Sequence, residues 1–184
     1  MLELQTVSKS FGEKPIFENL SAAFPPGIHA ITGPSGAGKT TLLRIIAGLE
    51  PYTGTVCGAG KVSYCFQEPR LLPRRTALQN VALVSETDTA AEMLCALGLE
   101  NDLHTYPEAL SGGMQCRVSL ARALAAPYDT LLLDEPFSGL DADTAQVALQ
   151  LIRTRAKGKT VLLVTHDDAL ASTLDSNFII EKKA

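Results

Sequence analysis

The run Gly33-Pro34-Ser35-Gly36-Ala37-Gly38-Lys39-Thr40 constrains the fold of this chain more than any other stretch. It has the G-x-x-x-x-G-K-[ST] spacing of a phosphate-binding loop, which joins a strand to the start of a helix. Both flanks are present: apolar residues 28–32 precede it, and Leu42-Leu43-Arg44-Ile45-Ile46 follows inside a helix expected over Lys39–Ala47. Gly36 and Gly38 permit backbone angles that a Cβ resists, so successive N–H groups can converge on one anion. Lys39 is a point charge on a flexible stem that reaches the outer phosphates, and the Thr40 hydroxyl suits a Mg²⁺ ion. The dipole of the helix start favours the same negative charge. The apolar flanks argue against a bare glycine-rich turn, and residues 33–40, with Thr41 beside them, read as a nucleoside-triphosphate site.

Composition narrows the setting. At 184 residues the chain is expected to be one domain that buries about 70% of its unfolded surface. Hydrophobic residues make up 46% and charged residues 20%, as in ordinary globular proteins. The net charge of −4, with only Arg70, Arg74 and Arg75 as a short basic group, gives no electrostatic case for nucleic-acid binding. No apolar run approaches the length of a bilayer span and no secretory leader pattern appears. The cysteines Cys57, Cys65, Cys95 and Cys116 lack C-x-x-C spacing. They read as reduced, mostly buried fillers of a soluble cytosolic domain.

Residues 2–7 and 16–24 show strand patterns, the second closed by Pro25-Pro26-Gly27. Phe11 lies between them, either as a core aromatic beside a turn or as a flat surface on which a nucleobase stacks. Short strands are expected at 55–57 and 61–66. Gln67 follows the second, and the prolines of Glu68-Pro69-Arg70-Leu71-Leu72-Pro73 predict an irregular loop. Thr76 can cap one helix and Asp88 another running to Ala96. Ser111 suits the N-cap of a helix that continues to Ala125. The Gly112-Gly113 pair behind it fits an ordinary capped turn or a second anion site.

Residues 130–133 read as a strand buried on both faces of a parallel sheet. It delivers Asp134 and Glu135 to the carboxyl end, where open α/β sheets bind ligands. Paired carboxylates there suit indirect metal binding and polarisation of an attacking water. Asp141 caps a helix over 142–156 with Ala145, Ala148, Leu149 and Ile152 on one face. The next buried strand, 160–164, carries His166 to the same strand-end position, and a last helix and a strand over 177–180 finish the chain. Alternating strands and helices make the fold class α/β.

In this order Phe11, the 33–40 loop, Gln67, residues 110–114, Asp134-Glu135, the 138–141 turn and His166 resemble the nucleotide-binding subunit of ATP-binding-cassette (ABC) transporters over nearly the whole chain. The resemblance implies a P-loop NTPase core of ABC-ATPase type. Its expected parts are a mostly parallel sheet, a small N-terminal antiparallel β part and a helical subdomain inserted at about 70–126. It implies a single ATP-binding domain over 1–184 without a C-terminal regulatory domain. Phe11 corresponds to the base-stacking aromatic, Gly33, Pro34, Ser35, Gly36, Ala37, Gly38, Lys39, Thr40 and Thr41 to the phosphate contacts, and Gln67 to a residue sensing Mg²⁺ and the membrane partner. Ser111, Gly112 and Gly113 correspond to a signature that closes over the ATP of another subunit. Asp134 corresponds to the metal-linked aspartate alongside Thr40 and Gln67, Glu135 to the general base, and His166 to the γ-phosphate contact, with Lys39 and Gln67 assisting catalysis.

The implied machine is an ATPase using ATP and Mg²⁺. It works as a homodimer, or paired with a similar subunit, on the cytoplasmic face of the membrane. Its implied partners are integral permease subunits and, through them, a solute-binding protein; no nucleic acid is expected. Residues 67–73 look most like importers of the nitrate, sulfonate and taurine group, although Arg74 stands where those often carry tryptophan. Cys116 replaces a common glutamine, and the span from Lys39 to Gln67 is short, which predicts a trimmed antiparallel part. Of the rival classes, a small-molecule kinase would not need Gln67 or Ser111–Gly113, and a GTPase would show an Asn-Lys-x-Asp motif. The serious alternative is a soluble ABC ATPase acting on DNA or ribosomes.

Overall fold

A computed structural model describes residues 1–181 of the chain. It contains two compact units, one built from Met1–Val62, Tyr128–Asp134 and the chain from Ala156, the other from Ser63–Pro127 and Glu135–Arg155.

The first unit holds the three-stranded antiparallel sheet and four strands of the five-stranded one. β1 (Leu2–Phe11) pairs antiparallel with β2 (Lys14–Phe24) and with β4 (Thr53–Cys57). β3 (Gly27–Thr32), β6 (Thr130–Asp134), β7 (Thr160–Val164) and β8 (Ser176–Ile179) run parallel in the order β6-β7-β3-β8. Every residue of β6 and β7 is buried, as expected of strands covered on both faces. α1 (Lys39–Ile46) turns Leu42, Leu43, Ile45 and Ile46 inward and packs on β6 and β7. The short α6 (Asp168–Ala171), capped by the Asp167 carboxylate at 3.0 Å from the Leu170 N–H, packs on β3. Leu131, Leu132 and Leu133 have no exposed surface, and truncating any one of them to alanine costs about 2–5 kcal/mol.

β5 (Val62–Cys65) carries the chain into the second unit, which is helical. α2 (Ala77–Val81) starts at a capping box: the Thr76 hydroxyl accepts from the Gln79 N–H while the Gln79 side chain accepts from the Thr76 N–H. α3 (Thr87–Ala96), a 3₁₀ turn over Pro107–Ala109 and α4 (Gly112–Ala125) follow. α2, α3 and α4 pack on one another, and Val81, Met93, Leu94, Val118, Ala121 and Leu124 on them are buried. α5 (Ala142–Arg155) buries Ala148, Leu149 and Ile152.

The sequence places β1 and β2 too short. β1 continues to Phe11 and β2 starts at Lys14, because three register shifts interrupt the alternation and hide it from a period-2 reading. Thr6 and Asn19 take left-handed angles, φ 50° and 55°, at these irregularities. Phe11 therefore ends a strand, opposite Lys14 across the Gly12-Glu13 turn, instead of sitting in a connection. α3 begins at Thr87 without a side-chain cap, and Asp88 lies in its first turn, not at its cap. The cysteine reading also needs correction: Cys65 is buried, but Cys57 and Cys95 are exposed and Cys116 is half-buried.

Candidate nucleotide-binding site

The Gly33–Thr40 loop leaves the carboxyl end of β3 and enters α1. Two of its glycines are required by close approach. A Cβ at Gly33 (φ 138°) would collide with the Ile180 carbonyl, and one at Gly38 (φ 105°) would lie 2.6 Å from Ile16 Cγ2 and 2.9 Å from Phe17 Cζ. The chain therefore packs against the back of the loop. Gly36 differs: its φ is 75°, yet nothing lies within 4 Å of where a Cβ would stand, leaving an open approach for an anion. The Lys39 ammonium donates to the Gly33 carbonyl at 2.8 Å and to the Pro34 carbonyl at 3.0 Å, and the residue is 6% exposed. α1 starts from a left-handed Gly38 with no side-chain cap, so no side chain competes for the N–H groups of its first turn.

Sheet register brings further groups to the same edge. Asp134, the last residue of β6, is opposite Val164 of β7, and Val164 is opposite Ile31 of β3. The 33–40 loop, Asp134 and the exposed His166, two residues beyond Val164, thus leave one carboxyl edge of one sheet. Asp134 is 2% exposed, and Thr40 Oγ1 donates to its Oδ1 at 3.1 Å. A hydroxyl and a carboxylate are hard oxygen donors of the kind Mg²⁺ takes while keeping water and phosphate oxygens. Among the described residues no group of three or more His, Cys, Asp or Glu could hold a metal ion by itself.

The remaining site residues belong to the helical unit. Glu135 has φ 52°, a left-handed angle costing a non-glycine residue about 1–2 kcal/mol. Gln67 Nε2 stands 3.5 Å from Glu135 Oε2. At the head of α4 the Ser111 hydroxyl accepts from the Met114 N–H at 3.3 Å, as an N-cap should. A Cβ on Gly112 would meet nothing within 4 Å, whereas one on Gly113 would stand 2.9 Å from the Gly139 carbonyl. Of the glycine pair, then, one member keeps the helix start open and the other lets the 138–141 turn approach. Asp141 caps α5, and the backbone N–H of Thr144 at 2.9 Å and its hydroxyl at 2.7 Å hold the Asp141 carboxyl below the usual carboxylate range.

Three arrangements around these residues escape a reading of motifs. Arg122, near the end of α4, donates to the Pro69 carbonyl at 2.9 Å and the Arg70 carbonyl at 3.2 Å, tying α4 to the loop after Gln67. Burial lowers the Arg122 pKa. Asn80 has no exposed surface; its amide oxygen accepts from the Leu72 N–H at 2.8 Å and its amide nitrogen serves the Arg75 carbonyl at 2.9 Å, which orders the same loop. Phe11 is 50% exposed, with Lys9 Nζ 4.5 Å from its ring centroid. Asn-x-x-x after a cap, or a lysine two residues from an aromatic, carries no recognisable sequence signal; only tertiary contacts give these residues a job.

The family model described as ABC transporter matches residues 17–138. The aliphatic sulfonates import ATP-binding protein SsuB 1 of Rhodococcus jostii is 42% identical, over 97% of this chain and 78% of the relative. The dimeric structure of MJ0796, a bacterial ABC transporter cassette, superposes with a TM-score of 0.90 at 32% identity, covering 98% of this chain and 94% of that one. The dimeric post-hydrolysis state of the same cassette, bound to ADP and Pi, gives a TM-score of 0.90 at 31% identity over 100% and 97% of the two chains. With the family model matching residues 17–138 and a relative 42% identical to it over 97% of its length, the chain belongs to the ABC transporter family as an ATP-binding, ATP-hydrolysing subunit that powers transport.

Proposed function

We propose that this subunit drives import of an aliphatic sulfonate or a related small anion, by closing on a second ATP-binding subunit around ATP and Mg²⁺. The solute class is carried over from the named activity of its relatives. The observation that carries the site is the Thr40–Asp134 contact beside Lys39 at the carboxyl edge of the parallel sheet. Gly33–Thr41 hold the triphosphate, and Phe11 stacks on the base. Thr40, Asp134 and Gln67 hold Mg²⁺, which supplies charge neutralisation of the phosphates. Glu135, next in the chain to Asp134, takes the proton of the attacking water, and His166 touches the γ-phosphate.

The closing donors come from the partner's copy of the α4 start. Ser111, Gly112 and Gly113 are exposed or half-exposed, and the open Gly112 leaves backbone N–H groups accessible to a γ-phosphate. The assembly is an isologous dimer with a ligand at each half of its interface, and the two dimeric structures of MJ0796 support it. Among the described residues no helix is long and apolar enough to cross a membrane. In this reading, attachment to the cytoplasmic face runs through integral permease subunits.

Expression with a purification tag tests the assignment: the subunit is expected to co-purify from membranes with integral subunits. Recovery on ribosomes or DNA instead would favour the soluble ABC alternative. A second test addresses the shared site. Ser111→Arg should bind ATP as a monomer with unchanged affinity and lose about a hundredfold in turnover, the scale of removing a transition-state donor. A Ser111→Arg protein that hydrolyses ATP at the parental rate as a monomer would refute the shared site.

A further inference from the structure

The hairpin that carries Phe11 holds a charged pair which the phosphate chemistry does not use. Lys9 and Phe11 are two residues apart on β1, and the Lys9 ammonium stands over the Phe11 ring. Lys9 Nζ lies 4.5 Å from the Phe11 ring centroid and 2.7 Å from Glu50 Oε1. The Lys9 and Glu50 side chains are only 8% and 19% exposed, whereas Phe11 is 50% exposed. A lysine ammonium is strongly hydrated, and removing it from water is costly unless a carboxylate and a π-face replace the water. Here both do. Glu50 stands four residues beyond the end of α1, the helix that the phosphate loop opens. The chain of contacts Glu50–Lys9–Phe11 thus connects the hairpin to the element that holds the triphosphate.

We infer that Lys9 is a positioning residue for the nucleobase: held by Glu50, it fixes the Phe11 ring from behind and leaves the other face for stacking. An unsupported aromatic at a hairpin tip would lose rotamer freedom on binding a base, and that entropy would subtract from affinity. With the ammonium on one face, the ring is ordered before the nucleotide arrives. The cation also draws electron density from the ring, which favours stacking on an electron-rich purine. The inference rests on the reading of Phe11 as the base platform, and the test separates the two.

Equilibrium binding of ATP and of inorganic triphosphate is measured on the full chain carrying Lys9→Met, Phe11→Ala, both, or Lys9→Arg. Lys9→Met should weaken ATP about fivefold, the scale of one partly desolvated cation–π contact, and leave triphosphate affinity unchanged. In the Phe11→Ala background Lys9→Met should have no further effect, and Lys9→Arg should retain most of the affinity. Equal losses for ATP and triphosphate, or additive effects in the double variant, would overturn the inference by making Lys9 a general structural residue. If Phe11→Ala itself leaves ATP affinity intact, the base-platform reading fails; if Phe11→Ala weakens ATP but Lys9→Met does not, only the role of Lys9 fails. Should Lys9→Met fold poorly because Glu50 is left unpaired, Lys9→Met/Glu50→Gln removes both charges and carries the same expectations.

Discussion

Glu135→Gln is expected to bind ATP with unchanged affinity and to lose about 10²–10⁴-fold in turnover, the contribution of a positioned general base. In the proposed step a water oxygen bonds to the γ-phosphorus as its proton passes to the Glu135 carboxylate. The bond from that phosphorus to the β–γ bridging oxygen breaks, and ADP and phosphate result. Glutamine has the same length and branching, so it fits the same space, and it meets the same left-handed backbone demand at φ 52°. It cannot accept the proton. The Gln67 amide nitrogen, now 3.5 Å from a carboxylate oxygen, would face an amide that can still offer it oxygen, so the loop after β5 should keep its place. Phosphate release, nucleotide affinity and size-exclusion behaviour with ATP check the result together. A stalled, ATP-bound dimer is expected, and undiminished turnover would sink the assignment of Glu135 as base.

The same backbone angle shows what sequence could and could not tell. Asp134 and Glu135 are legible because three leucines before them demand a buried strand and Pro136 forbids its continuation, so two carboxylates must stand at a strand end. That Glu135 turns left-handed there is not legible, since no glycine or asparagine marks the position. The Ser111 cap and the Asp141 cap are local chemistry, each set within three residues, and the structure forms both as the residue types require. The hairpin of β1 and β2 is less legible because its register shifts break the alternation that identifies strands. Arg122 and Asn80 are illegible for a different reason. Each is defined by backbone carbonyls or N–H groups of the loop over 69–76, and Arg122 reaches its partners across more than 50 residues of chain. Gly113 lies between these cases: the glycine is visible, but its reason is the carbonyl of Gly139.

Lys39→Ala is expected to lower ATP affinity about 10- to 100-fold, from the loss of hydrogen bonds between a charged donor and the phosphates. AMP, which lacks the outer phosphates, should lose much less. The structure raises a competing explanation, because the same ammonium ties the Gly33 and Pro34 carbonyls at 2.8 and 3.0 Å. Alanine therefore also removes a tie within the loop, and a fall in affinity could reflect a loosened loop instead of a missing phosphate partner. Two comparisons separate them. A loosened loop would weaken AMP and ATP alike and lower the melting temperature in proportion, whereas a missing partner affects ATP selectively. Lys39→Arg restores the charge but brings a planar, bulkier fork into a position only 6% exposed, so it should keep most of the stability and still bind ATP poorly. Calorimetric titration of ATP and AMP, with thermal unfolding of each variant, provides every term. A Lys39→Ala protein that binds ATP with parental affinity would remove Gly33–Thr40 from the nucleotide site, because no other group in the loop carries positive charge to the outer phosphates.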